Sequence, residues 1–315
     1  MKRLILILSS LLVAQVVLAI TINLADTGHG AFKPEEKLLA FDPESVDTLQ
    51  ISDGQTQILL RKQAGGWVLP ENQDFPVDNL VIKPVLEQLS TMGKGWPVAT
   101  SQEALKRFKV ADDLYEYHLT FSNHDKEVAQ LYIGTSPGFR KVHARPGDEE
   151  RVFSIDFDSW RVSAKVDDWI DKKLLQLDKD KIANIDVSNI KLINENGHFK
   201  LADIKDNETL NQTQVDSFVD TLAGLQITSL FKPESNLNKL LEATKFEVKI
   251  KTKSGDDLLY KFSKPKDADY YVLQRSDKAY SYKVAEQTAK QLFDTKRKKL
   301  LSMAKSDQKT EPDAL

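Results

Sequence analysis

The sequence predicts an α+β protein in which an N-terminal transmembrane helix precedes two tandem homologous units, each an antiparallel sheet with packed helices. Two observations predict this architecture. The segment Leu4–Ala25 is apolar and uncharged, and the residue pattern of Leu38–Ser52 returns in Leu174–Ser188. The length of 315 residues agrees with a prior of about two domains.

The N-terminal segment is predicted to be an uncleaved signal anchor over residues 1–25. A helix needs about 20 apolar residues to cross the hydrocarbon core of a bilayer, and Leu4–Ala25 is just long enough. Lys2 and Arg3 precede it and are expected to stay in the cytoplasm by the positive-inside rule. A linker over residues 26–37 would then join the anchor to the rest of the chain outside the cytoplasm.

A cleaved signal peptide is the alternative interpretation of the same segment. Val17 and Ala19 occupy the small-residue positions that precede a cleavage site. The apolar region of a signal peptide is about 7–15 residues long, whereas this one continues past Ala19 through Ile20 and Ile22. We therefore favour the anchor and keep cleavage after Ala19 as the alternative.

The two units are predicted over residues 38–173 and 174–301, followed by a disordered polar tail over residues 302–315. Several segments recur in the same order in both units, which a single chance match would not produce. Each unit is predicted to contain two strands, a helix, a loop with a short helix, a meander of about three or four strands and a closing helix.

The main helices are predicted from apolar residues spaced three or four apart. These residues are Ile82, Val85, Leu86, Leu89 and Met92 in the first unit, and Val215, Phe218, Val219, Leu222 and Leu225 in the second. Asp78 and Asn211 precede the two helices and are the predicted N-caps. Shorter helices are predicted at Gln102–Phe108 and Asn236–Ala243.

The strands are predicted where apolar and polar residues alternate. The alternating apolar residues include Tyr117, Leu119 and Phe121 in the first unit and Phe246, Val248 and Ile250 in the second. His118 falls on the polar phase and is expected to face solvent. A later strand at Val142–Arg145 is matched to Val272–Arg275, which aligns the arginines that end the two strings.

Composition and motifs exclude several classes of function. The chain has no cysteine, which excludes disulfides, thiol catalysis and iron–sulfur clusters. Its net charge of −3 lacks the basic excess of a nucleic-acid binder. The five histidines lack the spacing of a zinc site, and no catalytic motif is present. We expect a protein that is not an enzyme and has no cofactor, metal or nucleic-acid partner.

All four tryptophans fall in the first predicted unit, and two interpretations of them remain open. Trp67 is expected to lie in the core because it corresponds to an apolar residue in the second unit. Trp96, Trp160 and Trp169 either pack inside the first unit or between units, or form an exposed aromatic surface for a partner or ligand.

The sequence also resembles a known family through five short segments. These are the GGWVLP hairpin (Gly65–Pro70), the FPVDN helix start (Phe75–Asn79), the VLEQL stripe (Val85–Leu89), the LYIG strand (Leu131–Gly134) and the VHAR strand (Val142–Arg145). The pattern is similar to the bacterial domain-of-unknown-function family 4340 over about residues 40 to 300. The second unit lacks both the tryptophan and the LYIG string.

The resemblance implies a membrane-tethered, extracytoplasmic protein, and it brings no established active site. Members of the family are often encoded beside ABC-type transporter components that resemble the gliding-motility export system. We therefore expect a single-pass inner-membrane protein whose N-terminus is cytoplasmic and whose bulk is periplasmic. It would act as an accessory partner of a transporter or envelope assembly. The alternative function is a periplasmic binding module for a glycan, peptide or lipid, with its site in a cleft between the two units.

Overall fold

The structure is a computed structural model that describes residues 36–232 and 244–302, together with residues 12 and 14–16. Most of the predicted anchor, most of the linker, the short helix at Asn236–Ala243 and all of the tail beyond Ser302 therefore lie outside the described residues. None of the helices in the described part of the chain has the length and apolar character needed to cross a membrane.

The predicted α+β class is confirmed, because the described chain consists mostly of antiparallel sheets with few helices. The chain divides into two compact units, Met1–Val166 and Asp167–Leu315. The predicted N-caps are also confirmed: Asp78 accepts a hydrogen bond from the Leu80 amide at 2.8 Å, and Asn211 accepts one from Gln214 at 3.3 Å.

The first unit is built on a nine-stranded sheet with the order β4-β3-β2-β1-β8-β9-β10-β11-β5. The strands of the unit are β1 (Thr48–Ser52), β2 (Gln57–Gln63), β3 (Gly66–Leu69), β4 (Phe75–Pro76), β5 (Pro97–Ala99), β6 (Val110–Ala111), β7 (Leu114–Tyr115), β8 (Tyr117–Asn123), β9 (Lys126–Ile133), β10 (Lys141–Pro146) and β11 (Val152–Asp156), and its helices are α1 (Asn79–Thr91) and α2 (Gln102–Arg107). The short pair β6–β7 forms a separate two-stranded sheet.

Both faces of the first sheet are covered around β8 to β11. On the inner face, Leu119 of β8 lies between Ile51 and Leu131 of the neighbouring strands, and all three are fully buried. On the opposite face, residues 102–116, which we call the cap segment, form a second small core. That core consists of Leu105, Val110, Ala111, Tyr132 and Val152, with Ala99, Phe108 and Tyr115 packed against it.

The second unit contains an eight-stranded sheet with the order β14-β13-β12-β17-β18-β19-β20-β16. The strands of the unit are β12 (Ile182–Val187), β13 (Ile190–Glu195), β14 (His198–Leu201), β15 (Thr209–Leu210), β16 (Ser229–Leu230), β17 (Thr244–Thr252), β18 (Asp257–Ser263), β19 (Tyr270–Arg275), β20 (Ser281–Ala285) and β21 (Leu301–Ser302), and its helices are α3 (Gln212–Ala223) and α4 (Glu286–Phe293). Strands β15 and β21 pair in a separate sheet.

The two large sheets follow the same order of strands once β4 is set aside. In each, three strands joined by hairpins lie beside a four-stranded meander, and a short strand that follows the main helix closes the edge. The hairpin between β13 and β14 has a two-residue loop, Asn196 and Gly197, with φ of 54° and 92°. These values fit the type I′ turn that favours Asn-Gly in hairpins.

The strand registers correct the predicted match between Arg145 and Arg275. Arg145 lies opposite Tyr132 in β9. Tyr132 follows Leu131, which is on the inner face, so Tyr132 and Arg145 lie on the opposite face, under the cap segment. Arg275 lies opposite Tyr260, which lies opposite the fully buried Val248 on the inner face of its sheet. Because a one-residue slip reverses the faces of a strand, the two arginines are not equivalent.

The first unit ends earlier than predicted, and this moves one tryptophan. Val166 is the last residue of the first unit, ahead of the predicted end at residue 173. Leu175 is buried, and its carbonyl accepts a hydrogen bond from Arg275 at 3.1 Å, while the Lys172 carbonyl accepts one from the Ile227 amide at 3.1 Å. Trp169 therefore belongs to the second unit. The predicted closing helix of the first unit is replaced by short 3-10 helices such as Ser159–Val162.

Candidate functional site: an exposed aromatic rim on the first unit

The structure separates the tryptophans into buried and exposed pairs. Trp67 is buried, as predicted, and Trp169 is fully buried with 0% of its surface accessible. Trp169 is thereby removed from the predicted partner surface, because its indole is not accessible to solvent. Trp96 and Trp160 are 70% and 71% exposed. These two indoles are the part of the predicted aromatic surface that the fold leaves open.

Trp96 stands directly before the edge strand β5 of the first sheet. Pro97, the first residue of β5, lies opposite Phe153 in β11. Because the two strands are antiparallel, the chain preceding Pro97 lies toward the end of β11 at Asp156. Gly95 has a φ of 67°, a left-handed conformation that glycine adopts without steric cost, so the chain turns just before the indole.

Trp160 and Phe139 flank that same end of β11. Lys141, which begins β10, lies opposite Asp156, which ends β11. Phe139 precedes this pair and is 91% exposed, and Trp160 follows it within a 3-10 helix. Arg140 joins the two segments through an ion pair with Asp158 at 3.3 Å. We call Trp96, Phe139 and Trp160 the aromatic rim.

Sequence reasoning did not find Phe139. It sits in the SPGFR string between β9 and β10, where Pro and Gly indicate a turn. A large apolar residue inside such a turn has no core to enter, and that was the one available signal of its exposure.

Three basic side chains lie next to the rim residues in the sequence, and two of them form ion pairs. Arg140 contacts Asp158, and Lys141 contacts Asp156 at 3.1 Å. Arg161 donates a hydrogen bond to the side chain of Gln88 on α1. Because the Gln88 amide is neutral, these three basic and two acidic side chains leave one net positive charge beside a large exposed aromatic area.

The chain at Glu36, where the continuous described range begins, is held close to the rim. The Lys94 amide donates to the Glu36 carbonyl at 2.9 Å, and the Lys94 ammonium pairs with the carboxylates of Glu36 at 3.3 Å and Glu149 at 2.7 Å. Burial alone would lower the pKa of Lys94, but these two carboxylates outweigh it and raise the pKa above its ordinary value. The segment that enters from the N-terminus is thus attached two residues before Trp96.

A polar layer lies beneath the cap segment. The Arg145 guanidinium is 4.2 Å from the centre of the Tyr132 ring, donates to the Val110 carbonyl at 2.7 Å and pairs with Asp112. The other side of this layer is His118, whose ring stacks with Tyr132 at 4.2 Å and an interplanar angle of 4°. The side chains of Arg145 and Asp112 are 6% and 80% exposed, so one charge of the pair is buried and the other lies in water.

His118 does not face solvent as predicted, because the cap segment covers it. Its Nε2 is buried and has no hydrogen-bond partner among the described residues. Burial lowers the pKa of His118, against the opposing influence of Gln130 and Glu127. His143 lies on the same side, 4.1 Å from the Phe108 ring, and burial lowers its pKa as well. The layer fastens the cap to the sheet.

The second unit contains a shallow polar cavity of about 790 Å³. Its lining includes Asp178, Lys181, Asp256 and the pair formed by Arg275 and Asp277. The Arg275 guanidinium is already engaged by Asp277, the Leu175 carbonyl and the Tyr260 hydroxyl. Among residues 36–232 and 244–302, no three His, Asp or Glu side chains converge as a metal site requires.

A comparison with protein families shows to which family the chain belongs. The family model of the domain of unknown function DUF4340 matches residues 67–241, which is more than half of the chain. The chain belongs to the DUF4340 family. Comparisons with curated proteins and with solved structures find no match. The matched part of this DUF4340 protein includes the cap segment and all three residues of the aromatic rim.

Proposed function

We propose that this DUF4340 protein is a non-catalytic accessory protein, anchored in a bacterial inner membrane by residues 1–25, with both units on the periplasmic side. Its proposed partner is a membrane subunit of an ABC-type transporter or of another envelope assembly. The proposal builds on the uncharged segment Leu4–Ala25. It also builds on the place where the chain that follows this segment joins the first unit.

The attachment of Glu36 to Lys94 is the observation that carries the proposal. If the anchor ends at Ala25, residues 26–35 separate it from Glu36, and ten residues span at most about 35 Å when fully extended. The first unit would therefore stay within one small-domain diameter of the bilayer surface. A protein held at that distance is placed to act on components that are themselves in the membrane.

We also infer that the two units arose by duplication of one α+β unit. Support comes from the shared strand order of the two sheets and from the equivalent place of α1 and α3 between the hairpin strands and the edge strand. The copies have diverged on one face of the sheet. In the first unit, the outer face of the sheet carries the packed layer around Arg145. In the second unit, the corresponding face at β17 carries the exposed residues Glu247, Lys249 and Lys251.

The partner is tested by purification of the full-length protein from membranes in a mild detergent. We expect a transporter membrane subunit to co-purify with the wild type. It should also co-purify with a control variant whose residues 1–25 are replaced by an unrelated membrane-spanning segment, because the units rather than the anchor would make the contact. An unrelated periplasmic protein on the same replacement anchor is the negative control. Recovery of the protein alone, with no membrane subunit, would contradict the proposed function.

A further inference from the structure

We propose that the aromatic rim inserts into the interfacial layer of the bilayer that carries the anchor, so that Trp96, Phe139 and Trp160 contact lipid. This inference rests on the proposed function, because it assigns the membrane-proximal surface of the tethered unit. It goes further by naming lipid, rather than protein, as what the rim contacts.

The first argument is the path of the chain. Glu36 is held by the backbone and side chain of Lys94, and Trp96 follows two residues later. The chain that arrives from the anchor therefore enters the first unit beside the rim. With only residues 26–35 between Ala25 and Glu36, the end of the anchor lies at most about 35 Å from the place where the chain enters the unit.

The second argument is the chemistry of the exposed side chains. Indole rings concentrate at membrane–water interfaces, because they combine a large apolar surface with an N–H that remains near water. The rim exposes two indoles and one phenyl ring at the end of β11 where β10 begins. A monomeric soluble protein rarely leaves a cluster of large aromatic side chains in water.

The third argument is the charge of the rim, which indicates how it would bind. Arg140 and Lys141 are matched by Asp158 and Asp156. The free energy of membrane binding would then come from burial of aromatic area rather than from attraction to acidic headgroups. Insertion should therefore depend little on the fraction of anionic lipid or on salt, in contrast to polybasic membrane sites.

The test uses the full chain reconstituted in phosphatidylcholine vesicles that contain lipids brominated at a shallow or a deep position of the acyl chain. Bromine quenches only nearby indoles, and the buried Trp67 and Trp169 act as internal references. We expect shallow bromines to quench the wild type more strongly than deep ones. Trp96→Phe and Trp160→Phe should each remove part of the quenching, and the double variant should lose most of it.

Other outcomes separate this inference from the proposed function. If the protein fails to float with the vesicles, the anchor and the proposed function fail together. If the protein floats but the double variant is quenched as much as the wild type, only the rim inference is overturned. If Trp96 and Trp160 are shielded from aqueous acrylamide yet untouched by bromine, a protein surface covers the rim, and lipid insertion is wrong. Circular dichroism of the double variant checks that it is folded.

Discussion

Gly134 lies so close to the backbone of Phe108 that a Cβ added to it would meet the Phe108 carbonyl oxygen at 1.9 Å. That carbonyl accepts a hydrogen bond from the Thr135 amide at 2.9 Å. The end of β9 and the end of α2 are therefore in direct backbone contact. Gly134 is the glycine of the LYIG string, so this contact gives a physical reason for glycine at the last position of that motif.

Gly134→Ala is predicted to lower the free energy of unfolding by at least about 2 kcal/mol, because a methyl group has no room against a rigid backbone. Gly138→Ala is the matched control, since the same methyl group would meet nothing within 4 Å there. Urea unfolding in detergent, followed by fluorescence, measures both variants. Equal stability of the two variants would show that the cap segment does not rest on β9 as described.

Arg145→Met is predicted to destabilise the protein by about 2–3 kcal/mol. Methionine fills much of the same volume, but it leaves the carbonyls of Val110 and Glu149 without the donors that now reach them at 2.7 and 3.2 Å. Arg140→Met is the control, because the Arg140 side chain is 66% exposed and its pair with Asp158 should contribute less than about 1 kcal/mol. A midpoint in urea that moves equally for both variants would contradict the buried role of Arg145.

The stability of the first unit is predicted to fall as the pH drops below about 6.5. Burial lowers the pKa of His118 and of His143 in the folded state. On acidification the unfolded chain therefore takes up these protons first, which favours unfolding. The effect is absent well above pH 6.5 and grows as the pH approaches the lowered folded values. Arg145, Asp112 and Glu127 are the charged groups that influence the His118 ring.

The histidine prediction is measured as the slope of unfolding free energy against pH between about 7.5 and 5.5. The double variant His118→Gln/His143→Gln should show a shallower slope than the wild type. His198→Gln is the control, because His198 is exposed, and its slope should match the wild type. A double variant with an unchanged slope would mean that neither buried ring governs the acid sensitivity.

Sequence patterns were sufficient to predict those features of the fold that depend on neighbouring residues in the chain. The N-caps Asp78 and Asn211 were found because a short polar side chain before an apolar stripe satisfies the first free amides of a helix. The α+β class followed from alternating and helical spacing in the same chain. The exposure of Trp96 agreed with its position in a glycine-rich loop before a proline.

The parts that sequence reasoning missed depend on register and on non-local packing. The match of Val142–Arg145 to Val272–Arg275 rested on residue types, and a one-residue slip in such a match exchanges the two faces of a strand. Arg145 and Arg275 therefore looked equivalent, although the pairing of β9 with β10 and of β18 with β19 places them on opposite faces. His118 was assigned to solvent because its own strand does not reveal that the cap segment lies over it. Trp169 was misplaced because the unit boundary depends on contacts with distant residues such as Ile227.

The most direct test of the account is the form of the protein in the cell, measured by intact mass and membrane fractionation together. We expect a chain that keeps the segment Leu4–Ala25, stays in the inner-membrane pellet after alkaline carbonate washing, and is digested by protease added outside spheroplasts. A soluble periplasmic chain that begins at Ile20, or a chain protected from external protease, would contradict it.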